Sequence, residues 1–259
     1  KGQGADVLVM SATPIPRTLS LIFYGDLDIT TITDKPKARQ EVSTSIIPES
    51  KYEDMLYYVE REVRAGKQAY FVCSKIEDDE EGEVISVKEL HEQLSSALPT
   101  VRFGLLHGKM KEKEKAEVMT AFKNGELDCL VSTTVIEVGV DVPNATIMII
   151  YNAERFGLSQ LHQLRGRVGR GSEKSYCFLL TESAKERLLT LKNNTDGFKI
   201  AEKDLQMRGS GDFFGTRQSG KMLTDIKNLR YSTQVIFLAK RLTDEAFEGR
   251  FDIDELRVA

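Results

Sequence analysis

The chain has 259 residues, 41% hydrophobic and 29% charged, the composition of a globular protein with one large or two small domains. It has no apolar run of membrane-spanning length and no secretory signal, so we expect a cytoplasmic protein without a membrane partner. The net charge of −4 excludes a general basic field, so nucleic-acid contacts require local patches. Cys73, Cys129 and Cys177 lie in apolar runs without metal-ligand spacing, which predicts buried thiols and no metal site.

The first forty residues predict two strands followed by a polar linker. Residues 7–10 are typical of a strand buried in a parallel sheet, and residues 27–33 predict another strand. Ser11 and Thr13 follow the first of these strands, where open α/β sheets bind ligands, although Thr13 would also serve as a helix cap. The polar, proline-containing residues 33–40 predict a hinge between two lobes.

Strand and helix patterns alternate from residue 42 onward. Strands are predicted at 42–47, 69–73, 101–106, 129–131, 146–151 and 176–180. Ser50 and Glu53 form a capping box for a helix that ends before Gly66, and further helices are predicted near 84–98, 111–123 and 159–168. This alternation predicts an α/β fold with a parallel sheet covered by helices on both faces. After Thr181 the pattern changes to helices, near 183–193, 198–207 and 232–247.

The densest motif is S-Q-L-H-Q-L-R-G-R-V-G-R-G at residues 159–171. An apolar stripe anchors one side of the predicted helix, and amides and arginines project from another if the helix continues that far: Gln160, Gln163, Arg167 and Arg170. Guanidinium groups are always charged and bind phosphate oxygens bidentately. Two of them one helical turn apart suit the charge on a phosphoryl group in transfer. The competing interpretation is a solvated, arginine-rich helix end.

A second candidate region is the loop H-G-K-M after the third predicted strand. Gly108 permits close backbone approach, and positive charge is concentrated at the helix start by Lys109, Lys111, Lys113 and Lys115. This pattern favours contact with a phosphate backbone. Two alternatives remain open: His107 as a packing residue at the strand end, and residues 111–117 as a salt-bridged helix face.

The third candidate region is V-S-T-T-V-I-E-V-G-V-D-V-P at residues 131–143. Hydroxyls and backbone N–H groups become available to phosphates where the strand ends, at Ser132, Thr133 and Thr134, unless these residues simply cap a helix. Glu137 is suited to orient an arginine, and Gly139 allows a tight turn. Asp141 offers a carboxylate to a ribose hydroxyl or to an arginine.

The motif at 159–171 resembles the arginine-finger motif of superfamily 2 helicases. The longer string R-F-G-L-S-Q-L-H-Q-L-R-G-R-V-G-R-G is similar to the version in RecG-type branch-migrating helicases and in the transcription-repair coupling translocase. S-A-T-P-I-P-R-T-L at 11–19 resembles the motif that links hydrolysis to domain movement. The segment 208–220, R-G-S-G-D-F-F-G-T-R-Q-S-G, is a glycine-rich loop that resembles the translocation loop of RecG-type enzymes, and its G-T-R-Q-S-G is closer to RecG.

The resemblance implies a RecA-like, P-loop-NTPase-type sheet. Residues 1–35 would be the tail of a first RecA-like domain, 36–182 a second such domain, and 183–259 a helical hairpin, translocation loop and C-terminal helix. It also implies roles for individual residues. Catalysis would use Gln163, Arg167 and Arg170. The nucleotide would contact Gly139, Asp141 and the same two arginines. DNA would contact His107, Gly108, Lys109, Thr133 and Thr134. Coupling would use Ser11, Thr13, Glu137, Arg208, Thr216, Arg217 and Gln218.

The sequence contains no G-x-x-x-x-G-K-[ST] motif and no D-E-x-[HQ] motif before Ser11. We therefore expect ATP and Mg²⁺ to be held mainly by a first motor lobe, and this chain alone to hydrolyse ATP negligibly. The implied whole protein is a monomeric ATP-dependent translocase and helicase with a wedge domain. It would remodel stalled forks and Holliday junctions, with branched double-stranded DNA as its partner. Two alternatives stay open: a transcription-repair coupling translocase, and a non-catalytic RecA-like interaction module.

Overall fold

The computed structural model describes residues 40–74, 85–134, 141–183 and 185–208, with the separate positions 8, 10, 30, 32, 238, 241–243 and 245. The chain divides into two compact units, residues 34–200 and residues 1–33 with 201–259. The elements below belong to the first unit, except that the last helix extends beyond it. None of the helices in the described ranges has the length and apolarity that a membrane crossing requires.

Six parallel strands form one sheet in the order β1-β6-β5-β2-β4-β3. The strands are β1 Val42–Ile47, β2 Gln68–Val72, β3 Phe103–Leu106, β4 Cys129–Ser132, β5 Ala145–Ile150 and β6 Ser175–Leu180. The central strands β2, β4 and β5 are fully buried, as expected for apolar runs covered on both faces. The predicted parallel α/β sheet is therefore confirmed, and each of the six strands predicted from residue 42 onward matches an observed one to within two residues at either end.

Helices cover both faces of this sheet. They are α1 Tyr52–Arg64, α2 Val87–Ala97, α3 Glu112–Lys123, α4 Leu158–Arg165, α5 Glu186–Asn193 and α6 Gly197–Arg208, with short 3₁₀ turns at Glu49–Lys51 and Ala153–Arg155. Side chains alternate along each strand, so Ala69 and Phe71 join the core beneath α1 and α2, whereas Tyr70 and Val72 join the core beneath α3, α4 and α5. All three cysteines are buried and unbridged.

Two local predictions are wrong. Ser50 lies in the 3₁₀ turn, and α1 starts at Tyr52 without a side-chain cap, because that turn already leads the backbone into the helix. Leu8 and Met10 were expected in a buried strand, but they lie outside any strand and are 80% and 83% exposed.

Candidate functional site

The arginines of the densest motif lie beyond the helix that was expected to carry them. Helix α4 ends at Arg165, and Gly166 is its C-cap. The backbone N–H of Arg167 donates to the carbonyl of Leu164 at 2.9 Å, which closes one further turn. The prediction that the helix extends to Val168 is therefore wrong, since glycines interrupt it. Gln163 keeps an exposed helical position, while Arg167 and Arg170 project from the turn that leads to β6.

Gly169 fixes the path of this turn. Its φ of +76° lies in the left-handed region that favours glycine. A Cβ atom there would lie 2.7 Å from Cγ2 of Val42 and 3.3 Å from the carbonyl oxygen of Gln40, at the start of β1. A Cβ atom on Gly171 would lie 3.1 Å from the carbonyl oxygen of Pro143, just before β5. The absence of side chains at these glycines therefore lets residues 166–171, the arginine segment, pack against the amino-terminal edge of the sheet.

The two guanidinium groups have different partners. Nη1 of Arg170 lies 3.6 Å from Oδ1 of Asp141, and its Nε donates to the carbonyl of Gly166 at 3.4 Å. Arg167 is half-buried, and its side chain makes no hydrogen bond or ion pair with any residue in the described ranges. Burial and the like charge of Arg170 lower the pKa of Arg167. A partly desolvated cation without a counter-ion, next to a second cation, is an environment that favours binding of an anion.

Tyr70 lies within electrostatic reach of these charges. Its side chain is 2% exposed and its ring packs on Phe122 with centroids 5.0 Å apart. Burial raises the pKa of Tyr70 to about 12, and the charges of Arg170 and Arg167 oppose that rise. The charges therefore lie close enough to act on the phenol, and the hydroxyl stays neutral at physiological pH. Sequence reasoning missed Tyr70, because nothing distinguishes it within an apolar strand.

The described residues do not provide a metal centre next to the arginines. They contain no group of three or more His, Cys, Asp or Glu side chains arranged to hold a metal ion. Asp141 is a lone carboxylate that is already paired with Arg170. A magnesium ion needs several oxygen ligands, so the residues at this site suit a phosphate oxygen better than a cation.

A separate polar group lies at the opposite, carboxyl-terminal edge of the sheet. His107 and Thr133 follow β3 and β4 and are 8% and 3% exposed, whereas Gly108, Lys109 and Thr134 are exposed. The hydroxyls of Ser132 and Thr133 have no hydrogen-bond partner within the part of the chain that the structure describes. The predicted DNA-binding residues are thus brought together along adjacent strand ends. They lie at the edge away from Arg167 and Arg170.

The lysines at the start of α3 do not form a uniform basic patch. Nζ of Lys115 pairs with Glu112 at 2.7 Å, and the lysine side chain is only 8% exposed. Lys113 lies 3.9 Å from Glu117 on the exposed side. These pairs match the alternative of a salt-bridged helix face. Lys109 precedes the helix and is exposed.

The remaining predicted site residues are not among those whose side chains the structure describes. Arg208 is the last residue of α6, and its side chain is not described. The others fall outside the described residues: Ser11, Thr13, Glu137, Gly139, Thr216, Arg217 and Gln218. Their roles stay predictions.

Arg165 is an arginine of the same motif that sequence reasoning passed over. It is 4% exposed, and its Nη1 donates to the carbonyl of Leu191 at 2.6 Å. Thr44 Oγ1 lies 3.4 Å from the same nitrogen, and Nδ1 of His162 lies 3.1 Å from Nη2. The motif therefore contains one buried arginine with neutral partners, one arginine paired with a carboxylate, and one arginine without a partner among the residues that the structure describes.

Comparison with known proteins places these features in a family. The family model "Helicase conserved C-terminal domain" matches residues 50–172, which include α1 to α4 and both arginines. The model "ATP-dependent DNA helicase RecG, domain 3, C-terminal" matches residues 194–253. Two different parts of the chain therefore point to the same class of enzyme.

Individual relatives agree with both family models. The ATP-dependent DNA helicase RecG of Thermotoga maritima is 52% identical over 225 residues, which cover 85% of this chain and 29% of the relative. That of Staphylococcus aureus strain Mu50 is 47% identical over 253 residues, which cover 96% of this chain and 36% of the relative. A solved structure, "Structure of RecG bound to three-way DNA junction", has a TM-score of 0.68 at 44% identity and covers 91% of this chain and 30% of that chain.

The chain spans 29% to 36% of the length of these curated relatives. The matched part is the C-terminal one, because the model for the C-terminal portion of RecG domain 3 lies near the end of the chain. The helicase domain precedes that portion, as the order of motifs predicted. The chain belongs to the RecG-type family of superfamily 2 ATP-dependent DNA helicases and corresponds to its C-terminal part.

Proposed function

We propose that this chain is the C-terminal motor part of an ATP-dependent double-stranded DNA translocase and helicase that remodels branched DNA in recombination and repair. The single observation that carries the proposal is Arg167. Its side chain is half-buried and has no partner among the described residues. The positive charge of the neighbouring Arg170 repels its own positive charge. Such a pair is stabilised when an anion with spread negative charge binds both groups.

The proposed anion is the phosphate chain of ATP. Arg167 contacts the transferred phosphoryl group, and Arg170 assists after its long ion pair with Asp141 rearranges. Asp141 is 60% exposed and would then contact the ribose, and Gly139, two residues earlier in the sequence, is assigned to the same nucleotide. Gln163, exposed on the preceding helix α4, is the third residue assigned to catalysis. Mg²⁺ and most of the nucleotide contacts are assigned to a first motor lobe, of which residues 1–35 would be the tail. In the second lobe, 36–182, the described residues contain no group of three or more side chains arranged to hold a metal ion.

DNA binding is assigned to the other edge of the sheet. Exposed Lys109, Gly108 and Thr134 present a cation, a bare backbone and a hydroxyl to phosphate groups, with His107 and Thr133 behind them. Residues 183–259, including the coupling candidates Arg208 and 216–218, would transmit the motor's movement. RecG in the similar solved structure is bound to a three-way DNA junction, which supports branched DNA as the substrate class.

The test replaces Arg167 by Lys and by Ala in the full-length protein that carries this chain. An arginine finger contributes about 10³- to 10⁵-fold to turnover, so DNA-stimulated ATPase should fall by that order while binding of a forked duplex persists. Arg102→Lys is the matched control, because that guanidinium is exposed and bonds only Asp128 and the carbonyl of Gly125 among the described residues. Unchanged turnover in Arg167→Ala would contradict the assignment.

The two rivals make different predictions. A transcription-repair coupling translocase would bind RNA polymerase, and the match of residues 194–253 to RecG domain 3 supports the RecG type instead. A non-catalytic RecA-like module would have no use for a half-buried Arg167 that lacks a partner in the described ranges, and it would tolerate Arg167→Ala without loss of any activity.

A further inference from the structure

Arg165 is the most deeply buried arginine in the described part of the chain, at 4% exposure. No carboxylate among the described residues lies within ion-pair distance of it. Burial lowers its pKa, and electrostatic interactions with Cys177 and Glu41 oppose that shift. An apolar side chain of similar volume would pack here without any cost of desolvation, so the guanidinium is a costly choice for filling space.

The contacts of Arg165 join three separate elements. Within its own helix α4, Nη2 of Arg165 lies 3.1 Å from Nδ1 of His162. Nη1 lies 3.4 Å from the hydroxyl of Thr44 in β1 and donates to the carbonyl of Leu191 in α5 at 2.6 Å. The planar guanidinium holds these donors in a fixed fork on two separate nitrogens, and the single ammonium of lysine does not reproduce that geometry.

The contact with α5 gives Arg165 a charge-assisted partner, which no carboxylate among the described residues provides at ion-pair distance. Leu191 lies in the last turn of α5, where carbonyl groups lack partners within the helix. The C-terminal end of a helix dipole is negative, so a cation there gains a charge-assisted hydrogen bond and a favourable field. Arg165 therefore holds the end of α5 against the end of α4.

The location of this contact gives it a function. Arg165 directly precedes Gly166 and Arg167, so the residue held by α5 lies immediately before the arginine segment. Helix α5 lies just before residues 194–253, the part matched to RecG domain 3. Building on the function proposed above, we infer that Arg165 is a positioning residue that makes the arginine segment and α5 move as one body. Nucleotide-driven displacement of Arg167 thereby reaches the C-terminal helices.

The experiment compares Arg165→Lys and Arg165→Met with Arg102→Lys in the full-length protein. Two quantities are measured: DNA-stimulated ATPase, and base pairs of a forked duplex unwound per ATP hydrolysed. If the clamp transmits movement, ATPase stays within about threefold of wild type while base pairs per ATP fall about tenfold, a typical size for a coupling between sites. A merely structural role would lower both activities together and leave their ratio unchanged, which would overturn the inference.

Hydrogen exchange of the α5 amides is the second readout. Loss of a charge-assisted hydrogen bond should reduce protection of α5 by about 10- to 100-fold, with α2 unaffected as an internal reference. Thr44→Val is a milder variant for the case that substitutions of Arg165 do not fold, and it should lower the ratio in the same direction. Unchanged protection of α5 in Arg165→Lys would refute the clamp. Wild-type protein without DNA-stimulated ATPase would instead refute the proposed function, and the transmission role with it.

Discussion

Gly169→Ala tests how tightly the backbone fixes the arginine segment. An alanine at φ +76° carries left-handed strain of about 1–2 kcal/mol. Its methyl group would also lie 2.7 Å from Cγ2 of Val42, which packs against the core, and 3.3 Å from the carbonyl oxygen of Gln40. Overpacking of this kind costs about 1–3 kcal/mol, so we expect a total loss of about 2–5 kcal/mol in the free energy of unfolding.

Gly125→Ala is the matched control. Gly125 has nearly the same φ, +75°, but a Cβ atom there meets nothing within 4 Å. It should therefore show the strain without the clash, and the two variants should differ by about 1–3 kcal/mol. Urea denaturation of the two variants and the wild-type chain measures this difference. Equal destabilisation would mean that the turn relaxes freely away from β1, and the packing argument would fail.

The same substitution has a consequence for turnover. Gly169 separates Arg167 from Arg170, so a shift of the turn displaces at least one guanidinium. A misplacement of about 1 Å can reduce turnover about 100-fold. We expect ATPase in full-length Gly169→Ala to fall by that order, with no comparable loss in Gly125→Ala. Full activity in Gly169→Ala would show that the arginines do not depend on the exact path of this turn.

Two further predictions concern pH. The raised pKa of Tyr70, about 12 against an ordinary value of 10, stabilises the fold fully below pH 10, and this contribution is lost as pH rises through 12. In Tyr70→Phe the alkaline loss of unfolding free energy should be smaller by about 3 kcal/mol, measured by urea denaturation between pH 9 and 12. Burial would raise the pKa of Asp128, but hydrogen bonds from Arg102 outweigh it, and the pKa is lowered. Arg102→Met should therefore destabilise the protein at neutral pH, and the difference from wild type should shrink as pH falls below about 4, in a urea series. A constant difference would contradict this.

The fold was largely predictable because periodicity is a local property. Alternation of apolar runs with helical patterns located all six strands, and parallel pairing followed from the helical connections. Local patterns were weaker at helix ends. The capping box at Ser50 satisfied the sequence rule, yet a 3₁₀ turn formed there instead, and the glycines of the arginine motif ended α4 at Arg165.

The site was predictable in residue type but not in partnership. The motif pointed to Arg167 and Arg170, since two arginines beside glycines are typical of phosphate binding, and that role stays a prediction. Sequence spacing could not show that Asp141 would pair with Arg170 and leave Arg167 without a partner in the described ranges. Tyr70 and Arg165 were missed for the same reason. A tyrosine in a strand and an arginine in a basic run carry no sign of which distant residues they will contact, because burial is decided by tertiary packing.

The three arginines of the motif differ in their burial and in their partners, and these differences match the proposed division of labour. Arg165 is enclosed and satisfied by a helix end, so it cannot leave its place without exposing an orphan carbonyl. Arg170 is 27% exposed and is held at 3.6 Å by a carboxylate that a competing anion can replace. Arg167 experiences the repulsion of its neighbour and the cost of partial burial. The free energy that an incoming phosphate can gain is therefore largest at Arg167 and smallest at Arg165. The proposed motor function needs that order, because the group assigned to grip the nucleotide has to move while the group assigned to pass on the movement has to stay attached.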